Sequence, residues 1–286
     1  MQINETIKLL HERASLRNFS DKKIEQEILD NILEAGLHAA SGGNLQPYSI
    51  IKIEENETSQ KLAEMCGQKF ISMAPVNLVF CLDFYRNKQL AKTGVGPYSA
   101  DSSFRHFWIA FQDTIISAQS ICVAADSYGL GSCYVGSIIE YPGELSQMFN
   151  LPKGVYPVVL LSLGYPKIKP PIKSKFNQKI MVHDEKYVET PTQELYNAYL
   201  EREKKKVEID DNNLEKLVSV CEKVHGKKLA EECKKEVEEK GYINPIQYRF
   251  GLHYRADNMP KGNLNFIKSF EDRGLNFFKK WELEND

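Results

Sequence analysis

The chain has 286 residues, 42% of them hydrophobic, which suffices for one large buried core or two small ones. Its 37 basic and 39 acidic residues leave a net charge of −2, so no basic field exists to gather nucleic acid or an anionic membrane. MQINETIKLL lacks the basic start and apolar run of a secretory signal, and the six cysteines form no CxxC pair; reduced thiols and a cytoplasmic location are expected.

Residues 4–12 read as a helix with Ile7 and Leu10 on one side. Residues 12–19, Glu-Arg-Ala-Ser-Leu-Arg-Asn-Phe, then place Arg13, Ser15, Arg17 and Phe19 at alternate positions. In an extended segment these four share a face, three as hydrogen-bond donors to an anion and Phe19 as an apolar anchor. At roughly 3.3 Å per residue Arg13 and Arg17 lie about 13 Å apart, too far to hold one phosphate together. The ligand such a face suits is longer, with an anion at one end and acceptors at the other. Helix caps or surface ion pairs are the alternative use of the same arginines.

Ser20 and Asp21 offer an N-cap for a second helix carrying Ile24, Ile28, Ile32 and Ala35. Residues 40–47, Ala-Ser-Gly-Gly-Asn-Leu-Gln-Pro, form a small-residue loop that permits close backbone approach to a ligand or is a plain turn. A strand at 48–53 and a short helix near 60–66 follow, then Gly67-Gln-Lys and an apolar run at 76–82 that suits a strand buried on both faces. Residues 102–128 have no Pro or Gly and are apolar most of the way round, so a helix there needs cover on more than one side. Gln112, Asp113, Thr114, Gln119 and Ser120 weigh against a membrane span. Residues 129–137 read as a second glycine loop, 142–149 as a helix and 156–163 as an apolar strand.

Residues 201–208 are a charge block, and 214–240 predict two short helices broken near Gly226. Cys221, His225 and Cys233 fall there without a usual zinc spacing and read as surface or packed residues. Phe266, Phe270, Phe277, Phe278 and Trp281 suggest a closing helix.

In this order the pieces resemble the FMN-dependent nitroreductase family from the N-terminus to about residue 199, most closely its oxygen-insensitive NADPH nitroreductase and flavin reductase P branch. The matching motifs are Arg13-x-Ser15-x-Arg17-x-Phe19, Ser41-Gly42-Gly-Asn44-x-Gln46-Pro47, Gly67-Gln68-Lys69, Gly129-Leu-Gly131 with Tyr134-Val135-Gly136, and Pro171-Ile-Lys173-Ser-Lys175 before Val182-His183. The resemblance implies an α+β fold with a central, mainly antiparallel sheet flanked by helices and a long buried helix at a dimer interface. On this reading 1–199 is the FMN-binding core, 200–245 a charged helical insertion and 246–286 a C-terminal helical extension packed on the core.

The same resemblance implies FMN as cofactor. Arg13 and Ser15, with Lys173 and Lys175, would hold its phosphate; Arg17 would reach the pyrimidine edge and Gln68 its carbonyls. Tyr134, Val135 and Gly136 would line the ring, with a backbone N–H towards N5. Ser41, Gly42 and Asn44 would come from the other subunit of a homodimer. Ala14 stands where many members carry arginine or histidine, and Lys175 where arginine is common, which implies a looser phosphate grip because an ammonium does not bind bidentately. Arg202 would meet the phosphates of NADPH, with NADH as the other possible donor. The implied activity is hydride passage from NAD(P)H through flavin N5 to nitroaromatic, quinone or flavin acceptors by a ping-pong mechanism, with no catalytic side chain and no metal. A flavin-binding or storage protein with little turnover is the alternative.

Overall fold

The computed structural model describes residues 3–280, so Trp281 lies outside the described residues. The chain forms two compact units, one containing residues up to Ile172 together with those from Ile267 onward, the other Lys173–Phe266. The sequence segments bounded at 199 and 245 are divisions of composition and motif, whereas these units are divisions of space.

In the first unit the helices α1 (Glu5–Glu12) and α2 (Gln26–Leu37) precede strand β1 (Tyr48–Ile53), and α3 (Asn56–Cys66) leads to β2 (Val76–Asp83). Then come α4 (Phe84–Thr93), α5 (Phe104–Ser127), β3 (Gly131–Val135), α6 (Pro142–Met148) and β4 (Val155–Gly164). The strands form one wholly antiparallel sheet in the order β1-β2-β4-β3, so the fold is α+β as expected. Every residue of the two central strands β2 and β4 is buried, which explains why their sequences are apolar runs rather than alternations.

Ser103 Oγ accepts from the His106 N–H and starts α5, the long helix of the unit. Its buried face consists mostly of small residues, Ala110, Thr114, Ser117, Ala118 and Ala125, with Ile121. Small side chains there allow α2 to approach: Ser117 Oγ donates to the Gly36 carbonyl, and a Cβ on Gly36 would fall 2.5 Å from Ile121 Cγ1. By length and composition α5 could cross a membrane, yet it packs on α2 and the sheet and its Asp113 accepts from the Gly42 N–H at 3.0 Å. The opposite face leaves Phe104, Trp108 and Ile116 exposed.

Three expectations are corrected. The second helix starts at Gln26 with Glu25 at its N-cap, not at Ser20 or Asp21, because the Ser20 N–H donates to the Tyr165 carbonyl and keeps the chain extended. Residues 131–135 are strand β3 rather than loop, since they pair with β4 from Gly131↔Gly164 to Val135↔Leu160. Arg13, Ser15, Arg17 and Phe19 do not share one face: Leu16 and Phe19, three apart, are both buried while Arg17 and Asn18 are exposed. The segment first bridges Ser132 of β3 through Ser15 and then Pro166 beyond β4 through Phe19, so its pairing partner changes midway.

Gly131 is required for that first contact, because a Cβ there would lie 2.8 Å from Leu16 Cδ2 and 3.0 Å from Leu16 Cβ. Gly131→Ala is expected to cost about 1–3 kcal/mol through overpacking. A urea midpoint equal to that of the unaltered chain would show that Leu16 repacks freely.

The second unit contains the short helix α7 (Gln178–Met181), α8 (Thr192–Arg202), α9 (Asp211–His225), α10 (Lys227–Lys240) and the single turn α11 (Pro245–Gln247), which continues into a π-helical turn at Tyr248–His253. The break between α9 and α10 falls at Gly226, as expected, where φ is 85°. Helix α12 (Asn263–Asp272) leads back to the first unit, in which Phe270 stacks on Tyr156 with ring centroids 4.1 Å apart.

Candidate functional site

The arginine segment is clamped at its apolar positions. The Leu16 N–H donates to the Ser132 carbonyl at 2.9 Å, and the Leu16 and Phe19 side chains are buried beneath the segment. The polar side chains are thereby fixed at the end of β3. The Arg13 guanidinium carbon lies 5.8 Å from the Tyr134 ring centre, and that of Arg17 lies 5.7 Å from the ring of Phe70. Phe70 belongs to the 3₁₀ turn Lys69–Met73, which begins immediately after Gln68. Arg13, Ser15, Arg17, Gln68, Tyr134, Val135 and Gly136 are thus gathered at one edge of the sheet. Space above Gly136 is open, since an added Cβ would meet nothing within 4 Å.

The Arg13 Nη1 donates to Ser15 Oγ at 3.4 Å, but Arg13 Nε and Nη2 are buried with no hydrogen-bond partner. Among the described residues the other buried side-chain polar atom in this state is Ser137 Oγ, which has only the weakly polar Cys66 thiol beside it. Unpaired buried donors cost about 1–3 kcal/mol each, so the two free nitrogens of one guanidinium are a demand for acceptors from outside the chain. An anion of several oxygens meets it. Arg17 and Gln68 likewise make no side-chain hydrogen bond among the described residues. The donor set therefore fits FMN, with acceptors at its phosphate and along its pyrimidine edge.

A cavity of about 250 Å³ opens beside Arg13 and is lined by Glu12, Ala14, Asp126, Gly131 and Lys169 among others. Ala14, small where a longer side chain would fill the space, leaves it open. The Lys169 ammonium holds Glu12 at 3.0 Å. Asp126 is different: burial pushes its carboxyl up to about 6, and the nearby Arg13 charge only partly opposes the shift. The folded chain thus binds this proton more tightly than the unfolded one. The cost of ionising Asp126 grows as pH rises from about 4 to about 6 and is complete above that interval. In the flavin-free chain Asp126→Asn is expected to leave stability unchanged below about pH 4 and to raise it by on the order of 1 kcal/mol above pH 6, allowing for solvent screening. Urea titrations at pH 5 and 7.5 measure the difference; equal gains at both would assign the effect to packing.

Ser41, Gly42 and Asn44 are not brought to this edge. Their loop is tied to α5 where Asp113 accepts from the Gly42 N–H, and Asn44 and Gln46 adopt positive φ of 54° and 45° to make the turn. Arg13 acts electrostatically on Asp126 of the same helix. Thirteen residues of helix at about 1.5 Å each separate the two attachment points by roughly 20 Å. Lys173, Lys175 and Arg202 belong to the second unit. There Arg202 lies over the rings of Phe176 and Tyr199, at 4.1 and 5.1 Å, and lines a cavity of about 240 Å³ with Ser174, Lys175, Asn177 and Glu201. Both lysines are exposed and make no ion pair among the described residues.

Sequence reasoning missed Ser137 and Asp126. Ser137 follows Gly136 directly and was within reach of the motif; Asp126 sits in a helix whose sequence marks nothing of its neighbour Arg13.

The model of the Nitroreductase family matches residues 10–165. A Bacillus subtilis (strain 168) protein named FMN reductase, NAD(P)H, is 33% identical over 189 residues, 65% of this chain and 76% of its own length. The oxygen-insensitive NADPH nitroreductase of Salmonella typhimurium is 31% identical over 183 residues, 64% of this chain and 74% of its own. The solved structure of B. megaterium NfrA2 superposes with a TM-score of 0.73 at 26% identity, covering 97% of this chain and 100% of that one.

Proposed function

The chain belongs to the nitroreductase family, and from that premise we propose that it is an NAD(P)H-dependent FMN oxidoreductase that reduces small-molecule acceptors in two separate half-reactions. The observation that carries this reading is the pair of buried, unpartnered nitrogens of Arg13 at the edge where Arg17, Gln68 and Gly136 also converge. Bound FMN supplies the hydride chemistry.

The chain's own residues bind, orient and tune. Arg13 and Ser15 would hold the phosphate. Arg17 would place a positive charge against the pyrimidine edge, where a fixed charge favours reduction of a flavin. Gln68 adds amide hydrogen bonds that fix the ring orientation. A nicotinamide and then an acceptor would stack in turn on the exposed face of the ring, and the uncrowded backbone at Gly136 is consistent with such access. No side-chain nucleophile is required: Cys133, the thiol of β3, is buried and desolvation raises its pKa above the ordinary thiol value. We take the acceptors to be nitroaromatics, quinones or free flavin, and the working unit to be a homodimer in which Ser41, Gly42 and Asn44 serve the opposite subunit's flavin.

Two measurements test the reading. Heat release is expected to yield FMN; FAD, or no flavin even after reconstitution, would refute it. Anaerobic NADPH is expected to bleach the flavin absorbance within the mixing time of a turnover assay, and a yellow colour that persists in excess NADPH would favour the storage protein instead. Arg202, beside Lys175 in the small cavity of the second unit, supports preference for NADPH. Arg202→Ala is expected to raise the KM for NADPH roughly tenfold, the value of one lost charge-assisted contact, and to change that for NADH less than about twofold. Equal changes for both nucleotides would remove Arg202 from phosphate recognition.

A further inference from the structure

The hairpin of α9 and α10 carries two thiols that the flavin chemistry does not use. The helices run antiparallel about Gly226, and steps of one turn on each place Leu217 opposite Val237 and Cys221 opposite Cys233. The packing agrees: Leu217, Cys233, Val237 and Ile243 form one buried cluster, and Cys221, half-buried, packs against it. Cys221 is near enough to raise the Cys233 pKa, and Gln247 Nε2 donates weakly to the Cys233 sulfur at 3.7 Å. Both thiols line a cavity of about 490 Å³ with Val220, Val224 and Leu229. Packed helices lie about 8–10 Å apart with Cα atoms roughly 2.3 Å from each axis, so directly facing Cα atoms approach to about 3.4–5.4 Å, and the wider part of that range overlaps the roughly 4.4–6.8 Å a disulfide spans.

We propose that Cys221 and Cys233 are a reversible dithiol–disulfide pair whose oxidant is a small disulfide of the glutathione type. Cys221, the more accessible thiol, gives up its proton and attacks one sulfur of the small disulfide; the S–S bond breaks and one small thiol leaves. Cys233 then gives up its proton and attacks the Cys221 sulfur, forming the bond across the hairpin and expelling the second small thiol. Two protein S–H bonds become one S–S bond, and the two electrons and two protons end on two small thiols. Burial, with Cys221 alongside, pushes the Cys233 thiol up to about 12, which makes the second step the slow one. The product suits its surroundings, because a disulfide is uncharged and the cluster around it is apolar.

The test uses the purified full chain with its flavin, incubated with oxidised glutathione, denatured, alkylated and digested. Two of the six thiols are expected to become unavailable, and a linked product is expected to join the peptides 217–223 and 229–234. Excess reduced glutathione restores both. Cys233→Ser is expected to retain glutathione on Cys221, and Cys221→Ser to give no link, each with its flavin absorbance intact as a measure of folding. Six free thiols in the unaltered chain, a lasting glutathione adduct on Cys221, or a link to any other cysteine would overturn the proposal, whatever the variants do.

Discussion

Replacing Arg13 with Leu is expected to weaken FMN retention roughly ten- to a hundredfold while leaving the flavin-free chain at least as stable as before. The two halves of this result have one cause. In the flavin-free chain Arg13 Nε and Nη2 are buried and bonded to nothing, so the guanidinium costs free energy there that an apolar side chain of similar length does not. With the flavin phosphate in place the same nitrogens become charge-assisted donors, the stronger class of hydrogen bond. Fluorescence titration of the flavin-free variant with FMN, alongside a urea titration, reads both. A variant that lost stability and kept its flavin would show Arg13 to be a structural residue. Ser15→Ala is the milder companion, because its hydroxyl is an uncharged donor to the phosphate and its contact with Arg13 Nη1, at 3.4 Å, is long.

How much of this was legible in the sequence depended on where each signal is stored. The strands β2 and β4 announced themselves because burial on both faces demands apolar residues at every position. β3 did not: its sequence Gly-Ser-Cys-Tyr-Val is held by pairing with β4 and by the close approach of Leu16 to Gly131, both of them long-range facts. Helix α4 went unread because only Phe84 in it is buried, so no apolar period exists; its start is set instead by Asp83, whose carboxylate accepts from the Arg86 N–H. At the site, Arg13, Arg17 and Gln68 were readable as donors and as family motifs. Their pairing with Tyr134 and Phe70 was not, since it arises from the segment switching partner between Ser132 and Pro166. The hairpin thiols were visible as Cys221 and Cys233, but only the antiparallel packing about Gly226 turns two scattered cysteines into a pair.

If the working unit is the proposed homodimer, Ile116→Arg is expected to convert it to monomer at micromolar concentrations and to release FMN with it. Phe104, Trp108 and Ile116 are spaced by four and eight residues on α5, and they remain 44%, 49% and 44% exposed while the small residues of that helix are buried. Covering a large apolar side chain contributes about 1.5–3 kcal/mol, so this stripe favours a partner strongly enough that a lone charge within it reverses the balance. The link to flavin follows from the 41–44 loop. It is tied to α5 at Asp113, roughly 20 Å along the helix from the Asp126 end near Arg13, which favours its serving the flavin of a second copy. Seated, as proposed, on the partner's flavin it would make the cofactor a ligand of both chains at once, and such a ligand stabilises their association by mass action. Raising FMN in sedimentation experiments is therefore expected to restore part of the dimer in the Ile116→Arg variant. A variant that sediments as a monomer and yet holds FMN as tightly as the unaltered chain would show each site to be complete within one chain.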